Sequence, residues 1–190
     1  MNGYLSVYSA AAPLLAVDEA KNYLRITHTA DDYDLLRMIS TATAEAEEIM
    51  GRALMKRTYD YTLDAWPADR WLALPMPPLV SVTSITYTDA NGVAAVFSSA
   101  SYLVADWSSP GAIVLKTGHD WPAVTLREAG AITIRYVAGY EYASVPPRWK
   151  QLVAGLVGID FEQRNLLPAD AARQKGHIVK RLMADRVYAS

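Results

Sequence analysis

The 190-residue chain contains no cysteine. That absence excludes a disulfide framework, a cysteine-ligated zinc and a thiol nucleophile, and it fits a reducing compartment. No apolar run approaches the roughly 20 residues that span a bilayer as a helix. An excess of one charge is missing too: 18 Lys and Arg face 20 Asp and Glu, a formal net charge of −2. A dedicated nucleic-acid binder with a basic face is therefore not expected. Phenylalanine is scarce, at 2 residues against 12 Tyr and 5 Trp. Tyr and Trp join an apolar body to a polar edge, which suits interfaces and half-exposed strands alike.

What remains is an ordinary globular composition, 52% hydrophobic and 20% charged. A compact chain of this size buries roughly 70% of the surface its unfolded form exposes, so one domain, or one with an insertion, needs no staples. Met1–Ala16 lacks a basic start and is interrupted by Pro13, which reads as an extended arm rather than a signal peptide.

The order of the patterns is the most informative feature. Val17–Ile26 reads as a short helix with Asp18 and Glu19 in its first turn, where the helix dipole favours acids. Thr29-Ala-Asp-Asp32 resembles a capping box opening a longer helix to about Arg52. In that helix Leu35, Ile39, Ala42, Ala46 and Ile49 recur at heptad-like spacing, a narrow seam suited to close approach by another helix. Gly51 is placed to stop it.

Alternating segments follow: Thr58–Asp64, Trp71–Leu74, Val80–Thr88, Val93–Ser98, Tyr102–Ala105, Ala112–Lys116 and Ala131–Val137. Asp89-Ala-Asn-Gly92 is a hairpin turn in which Asn-Gly would supply the positive φ angles. Short connections favour an antiparallel meander or small barrel over a parallel sheet. Pro146-Pro147 ends this block, and a helix follows to about Asn165 with Trp149, Leu152, Val153, Leu156, Val157 and Ile159 on its apolar face. Leu166–Gly176 reads as a loop or frayed segment, and Ile178–Val187 as a short last helix. Neither helical block makes a core alone. The expectation is an α+β fold: a bundle of about four helices with an antiparallel β-rich insertion between the N-terminal and C-terminal pairs. The boundaries fall at 1–56, 57–144 and 145–190, and the two helical seams face each other.

No catalytic constellation is present. His28, His119 and His177 fall on three separate predicted loops without metal-ligand spacing, and Gly-rich phosphate loops and a Gly-x-Ser-x-Gly elbow are absent. Glu45, Glu47 and Glu48 cluster on the long helix, but a catalytic dyad needs two carboxyls converging in a pocket. Asp160 falls near the centre of an apolar helix face and needs a partner. Arg164, four residues on, would form a structural ion pair with it, and a subunit contact is the other reading. Neither a cofactor nor a metal is expected. The C-terminal stretch carries Arg173, Lys175, Lys180, Arg181 and Arg186 against Asp170 and Asp185. That is either a solvated helix face, or a surface for an acidic partner or a DNA channel.

Five pieces of the chain together resemble a known family: A-V-D-E-A-K-N-Y-L-R-I (16–26), A-D-D-Y-D-L-L-R-M-I-S-T-A-T-A-E-A-E-E-I-M-G-R-A-L (30–54), P-P-L-V-S-V-T-S-I-T-Y-T-D-A-N-G (77–92), I-R-Y-V-A-G-Y (134–140) and V-P-P-R-W-K-Q-L-V (145–153). They are similar to the head–tail connector, or adaptor, proteins of tailed bacteriophages and gene transfer agents, over about residues 15–187. The resemblance implies a virion structural protein without enzymatic activity, made in the bacterial cytoplasm and placed in the particle neck. It implies a homo-oligomeric ring, usually of twelve, beneath the portal protein. Such a ring extends the DNA channel without reading sequence and meets a tail-side stopper or terminator protein, with no membrane involved. Family members commonly carry Ser or Thr ahead of the first helix, where this chain has Ala16. The portal-contacting element would be the C-terminal segment, here Lys180, Arg181, Leu182, Arg186, Val187 and Tyr188. Because Ile178, Leu182 and Val187 make only a short stripe, this segment is expected to be mobile until it docks.

Two other classes compete. Trp66, Trp71, Trp107 and Trp121 lie in the β block and could form a carbohydrate- or surface-binding platform, and a small hydrolase is the third reading, disfavoured by the missing motif.

Overall fold

The computed structural model describes residues 3–9, 11–162 and 168–187. The chain forms two compact units: a β-rich one from Lys56–Gly139 with the N-terminal segment ending at Ala11, and a helical one from Ala12–Met55 with Tyr140–Val187. The class is α+β, with four α-helices and two antiparallel sheets among the described residues.

In the helical unit, α1 (Val17–Leu24) and α2 (Asp32–Met50) precede the β block, and α3 (Pro147–Glu162) and α4 (Pro168–Met183) follow it. Met55 and Tyr140, where the chain leaves and re-enters this unit, pair as a parallel bridge. Ala16 cannot cap α1 with a side chain. Glu19 instead reaches back, its Oε2 accepting from Ala16 N at 2.9 Å, and this retains half of a capping box. Glu19 also accepts from the Tyr142 hydroxyl, and Lys150 Nζ sits 3.4 Å from the centre of the Tyr142 ring.

The expected capping box at Thr29 does not form: Asp31 is the N-cap of α2 and makes no side-chain cap. Asp32 is drawn across to α1, where Lys21 Nζ lies 2.8 Å from its Oδ1 as a charge contact rather than a well-directed hydrogen bond. The seam of α2 is buried at Leu35, Ile39, Ala42 and Ala46, and α2 packs on α3, where Leu152, Leu156 and Ile159 are buried. At its end the seam moves from Ile49, which is only half-buried, to Met50, which is fully buried. A straight helix at 3.6 residues per turn drifts off a 3.5 repeat over two heptads. Gly51 ends α2 in the left-handed region at φ 62°.

The predicted loop or frayed segment is corrected over 168–176, residues 166 and 167 lying outside the described residues. Helix α4 already begins at Pro168, one long helix in place of a loop and a short one. Proline suits a first turn because it has no N–H to leave unpaired, Asp170 complements the dipole, and Ala171 and Ala172 are strong helix formers. The expected end of α3 near Asn165 lies outside the described residues.

The β unit holds a five-stranded sheet in the order β1 (Gly3–Val7), β2 (Arg57–Leu63), β8 (Ile132–Ala138), β4 (Leu79–Thr88), β5 (Ala94–Val96). A three-stranded sheet runs β3 (Trp71–Ala73), β7 (Ala112–Leu115), β6 (Tyr102–Ala105). Every strand pair is antiparallel, but β8 inserts between β2 and β4, so the architecture is neither a meander nor a single barrel. The predicted extended arm includes β1, an edge strand paired with β2.

Alternation on β8 buries Ile132, Ile134, Tyr136 and Ala138 and turns Thr133, Arg135 and Val137 outward. Tyr136 stacks on its register partner Tyr59 at 5.6 Å, and its hydroxyl donates to Pro75 O at 2.8 Å. On the other face Arg135 makes a bidentate pair with Asp60, 2.8 Å at each contact. At the β4–β5 hairpin only Gly92 takes a positive φ. Asp89 replaces the expected role of Asn91: its carboxylate accepts from the backbone of Asn91 at 2.9 Å and of Val93 at 2.8 Å, holding the turn from one side chain.

Candidate partner-binding surface

Helix α4 has two unlike faces. Ala171 and Leu182 are buried, Ile178 is half-buried, and Lys175 Nζ reaches Glu45 Oε2 of α2 at 2.9 Å. The opposite side exposes Arg173, His177, Lys180 and Arg181. Three- and four-residue spacing puts these on adjacent turns as one basic face.

The segment after α4 makes specific contacts with the helical unit as far as Val187. Leu182 is fully buried. Asp185 Oδ1 accepts from Arg148 Nη2 at 2.8 Å, and its Oδ2 accepts from Trp149 Nε1 at 2.9 Å. Val187 N donates to Met50 O at 2.9 Å, satisfying a carbonyl that the end of α2 leaves free. Trp149 is itself held between the Arg52 guanidinium, 4.9 Å from its ring centre, and the Tyr140 ring at 5.5 Å.

Of the residues singled out for a portal contact, Lys180, Arg181 and Arg186 are exposed and Val187 is half-exposed. Leu182 points inward and holds the helix down. Tyr188 lies outside the described residues.

Asp160 is half-buried, and burial is the main cause that raises its pKa above the usual carboxylate range. Lys175 opposes that rise and Glu45 adds to it. One lysine of α4 thus serves carboxylates of α2 and α3. Arg164, the partner expected from helical spacing, lies outside the described residues.

His28 Nδ1 is 3.7 Å from Asp31 Oδ2 on an exposed turn, His119 is exposed in a loop, and His177 sits on α4 rather than in a loop. Among the described residues no group of His, Asp and Glu is placed to hold a metal, and no helix is long and apolar enough to cross a membrane.

One role was not foreseen. Glu47 is 4% exposed, and its Oε1 accepts from Leu54 N at 2.7 Å, fastening the turn after Gly51. The signal available was an acid four residues ahead of a helix-ending glycine.

The tryptophans of the β unit do not form a platform. Trp66 stacks on Trp121 at 4.9 Å and packs against Phe97 at 5.7 Å, so their faces are spent on each other. Trp107 and Trp71 stay 74% and 46% exposed, outside that cluster.

Residues 13–165 match the sequence model of a family described as "Head completion protein" (HCP). No curated protein matches the chain. Solved structures that resemble it in fold include three from gene transfer agent particles. A chain from the neck of an empty gene transfer agent particle computed with C6 symmetry has a TM-score of 0.77 at 22% identity, covering 98% of this chain and 97% of that one. A chain from the neck of the native particle computed with C12 symmetry has a TM-score of 0.78 at 22% identity, with the same coverage. A chain from the virion of the native particle has a TM-score of 0.74 at 23% identity, covering 98% and 96%.

Proposed function

The chain belongs to the head completion protein family, and on that premise we propose that it is a structural head–tail connector subunit in the neck of a phage or phage-like particle. It acts by occupying a position and joining components, not by catalysis. The observation that carries this reading is the likeness of fold, over nearly the whole of both chains, to subunits of gene transfer agent necks.

The finer reading is a ring, with twelve copies the favoured number, seated beneath the portal protein and extending the channel through which DNA leaves the head. A net charge of −2 suits a channel component that must let DNA pass without retaining it. Lateral contacts in such a ring can be individually weak, because closure multiplies them.

The basic face of α4, at Lys180 and Arg181 with Arg186 beyond the helix end, is the portal-side surface in this reading. Leu182 and the Asp185–Trp149 contact set its position, and its charge favours an acidic portal surface. A tail-side stopper or terminator protein takes the far side of the ring.

The experiment is to add the purified chain to DNA-filled heads that lack it and to image the portal vertex. Rings at that vertex are expected, with occupancy reduced at least tenfold by Lys180→Glu together with Arg181→Glu. A folded chain that never attaches to heads or isolated portals would overturn the connector reading.

A further inference from the structure

The helical unit exposes a hollow and a ridge that do not meet within one chain. The hollow is a groove of about 520 Å³ floored by Gly155 and Ile159 of α3, between Tyr23 of α1 and Ile178 of α4, with Arg173 and His177 on its α4 rim. It continues past Tyr23 toward Arg25 and Glu162. Glycine lets the flanking helices come close here: a Cβ at position 155 would lie 2.9 Å from Ile178 Cδ1.

The ridge is at the start of α2. Tyr33 is 81% exposed and Leu36 45% exposed. They stand one turn apart beside the buried seam, Leu36 next to Ile39 and Tyr33 further round, with Asp34 flanking Tyr33 on the side opposite Leu36 and paired there with Arg37. No residue of α2 lines the groove, and α2 is pinned by its buried seam, so the ridge cannot enter the groove of its own chain.

Charge separates the same two regions. The ridge helix, residues 32–50, holds five Asp and Glu against one Arg, whereas residues 168–187 hold two against five. A second copy therefore offers the groove what it lacks: an apolar ridge with a tyrosine anchor, carried on an acidic helix.

We propose that the Tyr33–Leu36 ridge of one copy seats in the groove between α1, α3 and α4 of the next copy, forming the lateral contact of the ring. The inference rests on the connector reading. The two surfaces differ, so the contact is head-to-tail; it cannot stop at a two-fold dimer and must close into a ring or run on as a filament. Asp34 approaches the Arg173 and His177 rim, while Glu162 at the far end of the groove disfavours the reversed seating.

The chain has no cysteine, so a contact can be trapped without background. The test pairs Arg37→Cys, beside the ridge, with Gln174→Cys on the rim, in one full-length chain, oxidised after assembly. The expected result is a covalent ladder beyond the dimer, while either single-cysteine chain gives dimer at most. Independently, Asp34→Arg or Arg173→Glu should each lower ring yield about tenfold at low salt, and combining both in one chain should restore it. Normal rings with no ladder, and with Tyr33→Ala harmless to ring yield, would overturn the inference and leave the connector reading standing. A ladder ending at dimer would overturn it as well. If the unaltered chain forms no ring and attaches to no portal, the connector reading fails first and this contact falls with it.

Discussion

Asp185 accepts a hydrogen bond from the indole Nε1 of Trp149 at 2.9 Å, tying the segment after α4 to the first turn of α3. Trp149 is buried, at 3% exposure. Removing the acceptor leaves a desolvated donor unpaired. Asp185→Ala should therefore destabilise the protein by about 1–3 kcal/mol in urea unfolding. Arg148 contributes to the same carboxylate from an exposed position, so Arg148→Ala should stay under about 1 kcal/mol.

Gly51 is tested by a single methyl group. At φ 62° any L side chain is disfavoured, and an added Cβ would come 2.8 Å from the carbonyl oxygen of Val187. Gly51→Ala should destabilise by at least the roughly 1–2 kcal/mol of a left-handed residue. A wild-type midpoint in thermal unfolding would show that the end of α2 relaxes without that penalty.

The seam between α2 and α3 leaves no room at Ala46, which is fully buried. Ala46→Leu should overpack it and lose about 1–3 kcal/mol, read from the shift of the urea midpoint at unchanged slope.

How far these features were legible in the sequence depended on their range. The α2 seam as far as Ala46, Gly51 and Pro147 are local patterns, and each stands where periodicity and turn chemistry put it. The insertion of β8 between β2 and β4 is a pairing across some seventy residues of chain that no local period encodes. The start of α4 was hidden because Ala171 and Ala172 favour helix without marking an apolar face. Two site-level features were equally out of reach. Lys175 serves Asp160 and Glu45 from another helix, and Val187 is held by the backbone of Met50, which carries no sequence signature.

Asp160 gives a pH dependence whose sign is fixed by burial. Burial raises its folded-state pKa above the unfolded value, with Lys175 only partly opposing. The native state therefore binds the proton more readily, and stability falls as pH rises from the unfolded to the folded pKa. The ionised side chain thus weakens the fold at neutral pH. Asp160→Asn should raise stability at pH 7, by less than about 1 kcal/mol because the group is partly solvated. The gain should vanish below the carboxylate range. A variant less stable than wild type at pH 7 would mean that the Lys175 attraction outweighs burial.

The C-terminal segment separates fold from attachment. Deleting residues 181–190 removes Leu182, Asp185 and Val187, and with them a buried side chain, the partner of Trp149 and the donor to Met50 O. Loss of a buried leucine alone is worth about 2–5 kcal/mol, so the truncated chain should be strongly destabilised and its failure to attach would be uninformative. Lys180→Glu with Arg181→Glu removes none of those anchors, since both side chains are exposed. Its unfolding midpoint should match wild type within about 0.5 kcal/mol, as expected for surface changes. Its attachment to heads should weaken, and do so least at high salt, where screening already reduces the electrostatic contribution. A charge-reversed chain that folds normally and attaches with wild-type occupancy at low salt would move the portal-side surface away from α4.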